Sequence, residues 1–244
     1  MGYESVDIDA ATARGIPVVV APGFTESVAD YVFGLLLAVA RQVAQADRLI
    51  RQGQWDVLVS TNIFRKTLGI IGLGRIGKAV VRRAQGFEMP VLATDVVQDA
   101  AFARQYGVTY VPLEVLLRQA DIVSVNAPLH GSTRHLIDAH ALRLMQPTAF
   151  LINTARGDLV DEAALAAALH EGRLAGAGLD VFHHEPITHN AFAGLDNVVL
   201  SPHLAAYSRE GLRDTGLLAA QAVLAVLKGG QADRSLVVNP EVYP

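Results

Sequence analysis

The chain has 244 residues, 51% of them hydrophobic and 18% charged, enough for one large domain or two modest ones, which excludes a disordered or fibrous protein. It contains no Cys, so disulfides, thiolate metal centres, iron–sulfur clusters and thiol nucleophiles are excluded, and a reducing, cytoplasmic compartment is expected. A net charge of −4 and a pI near 6.0 argue against nucleic acid or an anionic membrane surface as the main partner, because neither attracts a mildly acidic protein.

In chain order, residues 1–10 carry Glu4, Asp7 and Asp9 with no basic cluster, so no secretory signal is expected. Gly15-Ile16-Pro17-Val18-Val19-Val20 reads as a lone strand with Pro near its start, closed by the Pro22-Gly23 turn. One long helix is expected from Ser27 to Gln52, with Val28, Val32, Leu35, Leu36, Val39 and Val43 spaced as a single buried stripe and Gly53 ending it. At roughly 40 Å it is long enough to serve as a subunit interface, and equally able to lie on its own sheet. Mean hydropathy is positive, +0.31, yet the longest apolar run, Tyr31 to Ala40, is closed by Asp30 and Arg41 and is too short to span a bilayer.

From Leu68 onward, short β-branched runs alternate with helical patterns, the signature of an α/β protein with a parallel sheet and crossover helices. Strands are expected at Leu68–Ile71, Val91–Thr94, Val108–Val111, Ile122–Val125, Phe150–Ile152, Gly176–Leu179 and Val198–Leu200. Helices are expected at Ile76–Gln85, Ala100–Tyr106, Leu113–Gln119, Ala139–Met145 and Glu162–His170, with a last one from Leu212 to Leu227. Several strand runs are apolar at every position, as strands covered on both faces must be. There is no internal repeat and no low-complexity segment.

The first of these strands runs directly into Gly72-Leu73-Gly74-Arg75-Ile76-Gly77 and then a helix, the strand, turn and helix setting of a dinucleotide-binding fingerprint. Gly72 allows the tight turn, Gly74 lets the backbone approach a pyrophosphate, Gly77 lets helix and strand pack closely, and the helix N-terminus faces the phosphates. Asp95 ends the next strand, where a carboxylate accepts hydrogen bonds from adenosine ribose hydroxyls and repels a 2′-phosphate, so NAD is expected over NADP. The spacing from Gly72 to Lys78 also fits a nucleoside triphosphate loop, but the following residue is Ala79, without the hydroxyl such a loop uses to hold Mg²⁺.

Ligands of open parallel sheets bind at the carboxyl ends of the strands. Asn126-Ala127-Pro128, Asn153-Thr154-Ala155-Arg156-Gly157, Asp180 and Ser201-Pro202-His203 follow successive strands. Hydride transfer to a carbonyl needs a proton donor beside it, and His203 is the best-placed histidine, with Glu185 as the carboxylate that would orient its ring. Arg156 offers a planar fork for a substrate carboxylate and a charge to polarise the oxygen being reduced. By residue type alone, an Arg after a strand also satisfies helix C-terminal carbonyls, and a His in a Ser-Pro-His turn also packs. His183, His184 and His189, or His130, His135 and His140, lack the i,i+4 helical spacing of metalloenzyme motifs, so no metal is expected.

Taken in order, Gly72 to Gly77, Pro128 to Thr133, Asn153 to Gly157, Val160 to Leu165, Gly178 to Phe182, Glu185-Pro186 and Pro202-His203 resemble the D-isomer-specific 2-hydroxyacid dehydrogenases, which include phosphoglycerate, glyoxylate/hydroxypyruvate and formate dehydrogenases. The resemblance covers nearly the whole chain. It implies a Rossmann-type doubly wound domain over residues 24–203 and reversible hydride transfer between NAD(H) and a small 2-oxo or D-2-hydroxy acid. It implies Arg156, Glu185 and His203 as the catalytic residues and places Arg75 and Ile76 at the pyrophosphate. It further implies Asp95 at the ribose, Pro128 and Thr133 in the cofactor loop, Thr154 and Ala155 near the nicotinamide, and Asp180 at its carboxamide. Relatives usually dimerise through the cofactor domain, so a homodimer is expected.

Small departures are Asn126 where a His is common, His130 for a usual Thr, and Tyr207-Ser208 for a usual Thr. The larger one is at the front, where Met1 to Asp9 resembles a stretch late in the relatives' flavodoxin-like substrate domain. On the order of 100 residues of that domain are expected to be absent, leaving 1–23 and 204–244 as its remnant, with little docking surface for the Val238-Asn239-Pro240-Glu241 tail. The competing expectation is an NAD-holding fragment or dehydrogenase-like corepressor with little turnover.

Overall fold

The computed structural model describes residues 2–3 and 5–243, so Met1 and Glu4 of the acidic N-terminal stretch, and Pro244, lie outside the described residues. The helices are α1 (Ile8–Ala13), α2 (Thr25–Ala40), α3 (Val43–Arg51), α4 (Arg75–Ala84), α5 (Ala100–Tyr106), α6 (Leu113–Gln119), α7 (Ala139–Leu144), α8 (Glu162–His170) and α9 (Arg209–Leu227). The strands are β1 (Leu68–Ile71), β2 (Val91–Thr94), β3 (Val108–Tyr110), β4 (Ile122–Val125), β5 (Phe150–Asn153), β6 (Gly176–Leu179) and β7 (Val198–Leu200). They form one sheet in the order β3-β2-β1-β4-β5-β6-β7, and every pairing is parallel. The order reverses between β1 and β4, whose registers place Ile71 beside Val125. This is the doubly wound Rossmann arrangement, and it opens its ligand crevice at that reversal.

Alternate side chains of the strands enter two separate cores. Leu68, Ile70, Ile122, Phe150 and Ile152 pack with α2 and α4, while Ile71, Val123, Val125, Leu151 and Leu179 pack with α6, α7 and α8. Burial on both faces is why these strands are mostly apolar, with Ser124 and Asn153 the buried polar exceptions. The helices start where a short polar side chain caps them: Asp99, Asp138, Asp161 and Ser208 accept from Phe102, Ala141, Ala164 and Gly211 backbone N–H at 2.8–3.0 Å. Ser208 also explains why α9 begins at Arg209, one turn ahead of the expected Leu212.

The long helix expected from Ser27 to Gln52 is two helices, α2 and α3, bent by 62° about Gln42, whose backbone is left-handed with φ 55°. The apolar stripe explains why: α2 buries Val28, Val32, Leu35, Leu36 and Val39, whereas no residue of α3 is buried. Packing thus holds the axis only as far as Ala40, and beyond the bend Arg48 pairs with Asp196. Among the described residues no single helix is long and apolar enough to cross a membrane.

Contacts divide the chain into one unit of Val28–Ala205 and another of the residues up to Ser27 with those from Ala206 onward. In the second unit the expected lone strand reduces to one antiparallel bridge, Val19 to Val237. The helix α1, capped by Asp7, precedes it and was not expected from the hydrophobic pattern. The C-terminal tail, expected to lack docking surface, is held firmly: Asn239 is fully buried, accepts from Val18 N–H at 2.8 Å and donates to Thr12 Oγ1 and Ile16 C=O at 3.0 Å.

Candidate active site

Because all strands run the same way, the segments after β1, β2, β4, β5, β6 and β7 come to one edge of the sheet. Gly72 has φ 92°, and a Cβ there would lie 2.7 Å from Ala127 N in the turn after β4. A Cβ on Gly77 would lie 2.3 Å from the Gly72 carbonyl, so α4 packs against the turn only because that carbon is missing. Gly74 is the N-cap of α4, and open space surrounds the position its Cβ would take. The turn is thus closed on its protein side and clear on its outer side, with the first N–H groups of α4 beside it. That shape fits an anionic diphosphate. Asp95 lies across the turn, accepting from Leu73 N–H at 2.6 Å and from Val97 N–H at 2.9 Å. Its carboxylate is half-buried at the end of β2, where a ribose diol fits and a further phosphate would meet like charge. Lys78 on the next turn of α4 bonds Asp99 at 2.6 Å and holds that carboxyl below the usual carboxylate range.

On the loop after β4, Thr133 Oγ1 donates to the Pro128 carbonyl at 2.8 Å and accepts from His130 N–H at 2.9 Å, closing the loop on itself. After β5, buried Asn153 spans the next loop. Its Oδ1 accepts from Ala155 N–H at 3.0 Å and its Nδ2 donates to the Arg156 carbonyl at 2.9 Å. Arg156 in turn donates to the Ala155 carbonyl at 2.6 Å. Asn153 had no signal of its own in the sequence beyond being a polar residue ending an apolar strand.

Glu185 and His203 meet directly, Oε2 to Nδ1 at 2.7 Å. The other carboxylate oxygen of Glu185 accepts from Phe182 N–H at 2.9 Å, so both oxygens are committed and the ring is aimed by a fixed acceptor. His203 has φ 55°, and its N–H donates to the Asp180 carbonyl at 2.8 Å. Asp180 is fully buried, and its carboxylate accepts from Ser201 Oγ at 2.6 Å and from Leu204 and Ala205 N–H at 2.8 Å. Three donors from the segment that carries His203 therefore converge on one buried charge, which fixes the left-handed turn there. A cavity of about 560 Å³ opens beside the pair, lined by Phe182, Pro186, Ile187, Leu200 and Pro202 as well as Glu185 and His203.

The chain is similar to known proteins over nearly its whole length. A family model described as D-isomer specific 2-hydroxyacid dehydrogenase, NAD binding domain, matches residues 33–205. A glyoxylate reductase of Korarchaeum cryptofilum is 46% identical over 250 residues, covering 99% of this chain and 75% of that protein. Among solved structures, an NADPH-dependent glyoxylate/hydroxypyruvate reductase of Sinorhizobium meliloti superposes with a TM-score of 0.90 at 36% identity, covering 99% of this chain and 77% of that one. A D-lactate dehydrogenase of Aquifex aeolicus, solved with NAD and lactic acid, superposes with a TM-score of 0.88 at 30% identity, covering 100% of this chain and 78% of that one.

Proposed function

This chain belongs to the D-isomer specific 2-hydroxyacid dehydrogenases, and from that premise we propose that it reduces small 2-oxo acids, glyoxylate among them, with NADH. It is an NAD-dependent oxidoreductase of the D-2-hydroxyacid class. The observation that carries the assignment of roles is the 2.7 Å bond between Glu185 and His203, on segments that follow β6 and β7 at the carboxyl ends of the strands, as the glycine turn follows β1.

Glu185 accepts the Nδ1 proton, which leaves Nε2 as the atom that gives a proton to the substrate oxygen during reduction and takes it back during oxidation. The same bond fixes the plane of the ring, so Nε2 keeps one direction as the alkoxide develops. Arg156 binds the substrate carboxylate through its guanidinium fork and polarises the carbonyl. The chemistry NADH would supply when bound is a hydride for the carbonyl carbon. The turn from Gly72 to Gly77 with Arg75 and Ile76 holds its diphosphate, and Asp95 holds the ribose. Pro128 and Thr133, with Thr154 and Ala155, line the approach to the nicotinamide. Asp180 holds the His203 segment in place, and its three protein donors support that role ahead of a bond to the carboxamide. The direct test is NADH-dependent reduction of glyoxylate compared between the parent chain and His203→Ala.

Asp95 sets the cofactor choice in this reading. Fluorescence titration is expected to give an NADH dissociation constant at least about tenfold below that for NADPH, the equivalent of ~1.4 kcal/mol of repulsion. Equal affinities would remove Asp95 from the discrimination.

The subunit arrangement proposed is a homodimer. With the helix broken at Gln42, support comes instead from the segment after α3, where Trp55, Val57 and Val59 occupy alternate positions and are 88%, 88% and 90% exposed. Three large, exposed apolar side chains within five residues are a surface that a second copy covers. Val57→Lys is expected to shift the sedimentation coefficient from dimer to monomer; a parent chain that already sediments as a monomer would contradict the arrangement.

A further inference from the structure

Asp158 lies two residues beyond Arg156, in the 3-10 turn Gly157–Leu159. Its carboxylate and backbone join three segments of the site. One oxygen pairs with His183 Nδ1, and the other accepts from Arg134 at 2.8 Å. Its carbonyl accepts from His135 N–H at 2.8 Å. Arg134 and His135 belong to the loop of Pro128 and Thr133, Asp158 to the loop of Arg156, and His183 to the turn that carries Glu185. The carboxylate is the most shielded member of the group, at 18% exposure against 41% for His183 and 52% for Arg134.

The turn of Glu185 has little burial of its own. Phe182 is buried, but residues 183–191 are all exposed. Glu185 is fixed from inside by Phe182 N–H, and His183 is tied from outside by its ring to Asp158 and by its N–H to Glu162. The backbone adds a close fit, since a Cβ on Gly157 would lie 2.0 Å from the Phe182 carbonyl carbon. Exposed ion pairs contribute only about 0–1 kcal/mol to stability. A displacement of about 1 Å in a group that must meet its partner for proton transfer, however, lowers rate by up to roughly a hundredfold.

We propose that Asp158, acting through His183, is a positioning residue that holds Glu185 in register with His203 and with Arg156. The proposal rests on the reading that Glu185 and His203 carry the proton transfer. The pairing uses the Nδ1 donor of His183, whose place the side-chain amide of an asparagine can take.

The experiment measures kcat with glyoxylate and NADH for the parent, Asp158→Ala, His183→Ala, the double variant and His183→Asn, with active sites counted by NADH titration. Asp158→Ala and His183→Ala are each expected to lower kcat per site about tenfold, with NADH affinity within about twofold of the parent. The double variant is expected to fall no further than either single one, the non-additivity of a pair acting as a unit. His183→Asn is expected to recover most of the rate, which a loss of packing or of folded protein would not produce. Additive losses near a hundredfold, a His183→Asn variant as slow as His183→Ala, or kcat unchanged in both alanine variants would each overturn the proposal. If Asp158→Ala does not fold, His183→Ala against His183→Asn decides alone. A parent that fails to reduce glyoxylate, or a His203→Ala variant as fast as the parent, removes the underlying reading and this inference with it; a parent whose rate collapses only in His203→Ala removes this inference alone.

Discussion

His203→Ala is expected to lower kcat for glyoxylate reduction by about 10²–10⁴, the range a positioned histidine contributes as general acid. The loss belongs in kcat because the imidazole acts on the oxygen only as charge develops there, while NADH affinity depends on the glycine turn and Asp95 and should stay within about twofold. The structure makes the test clean. His203 is held by its backbone N–H on the Asp180 carbonyl, and the Asp180 carboxylate is satisfied by Ser201, Leu204 and Ala205, none of which the substitution removes. The lost contact is the bond to Glu185, whose remaining oxygen keeps Phe182 N–H. Stopped-flow and steady-state NADH oxidation check the result, and undiminished turnover would take His203 out of the mechanism.

Gly157→Ala is expected to have the largest effect on stability. The new methyl group would stand 2.0 Å from the carbonyl carbon of Phe182, 2.2 Å from its oxygen and 2.4 Å from His183 N. These are backbone atoms, which cannot swing aside as the end of a flexible side chain does. Relief requires parting the loop of Arg156 from the turn of Glu185, each fixed by its own hydrogen bonds. Overpacking of a buried site costs about 1–3 kcal/mol and more where backbone must move, so a loss near 3 kcal/mol is expected. For a chain of this size that corresponds to a fall in Tm of roughly 6–12 °C. Activity should fall with it even below the melting transition, because the movement separates Arg156 from Glu185. Calorimetry together with kcat/KM checks both, and an unchanged Tm would mean the two loops yield at no cost.

The sheet was legible because parallel strands buried on both faces write themselves as short apolar runs. Leu68–Ile71, Val91–Thr94, Ile122–Val125, Gly176–Leu179 and Val198–Leu200 coincide with the observed strands at both ends. The helix across residues 27–52 misled for the complementary reason. Val43 continues the spacing of Val28 to Val39, yet periodicity records which side chains share a face, and nothing in it marks that burial stops at Ala40. Among site residues, the glycine turn and Asp95 belong to one local unit of strand, turn, helix and strand, and their spacing alone points to a dinucleotide. Glu185 and His203 come together because each ends a segment at the same sheet edge, which the order of strands implies. Asn153, Asp158 and His183 were out of reach as partners, since their roles arise where loops after different strands touch. The tail around Asn239 shows the same limit: its buried amide joins Thr12, Ile16 and Val18 from the other end of the chain.

The measurement that bears most directly on the account is steady-state NADH oxidation by this chain with glyoxylate, followed at the absorbance of the reduced nicotinamide, with NADH binding titrated on the same sample. Saturable, stoichiometric NADH binding is expected, with turnover that consumes one NADH per glyoxylate reduced. Full NADH binding with no oxidation of NADH in the presence of glyoxylate or larger 2-oxo acids would contradict it.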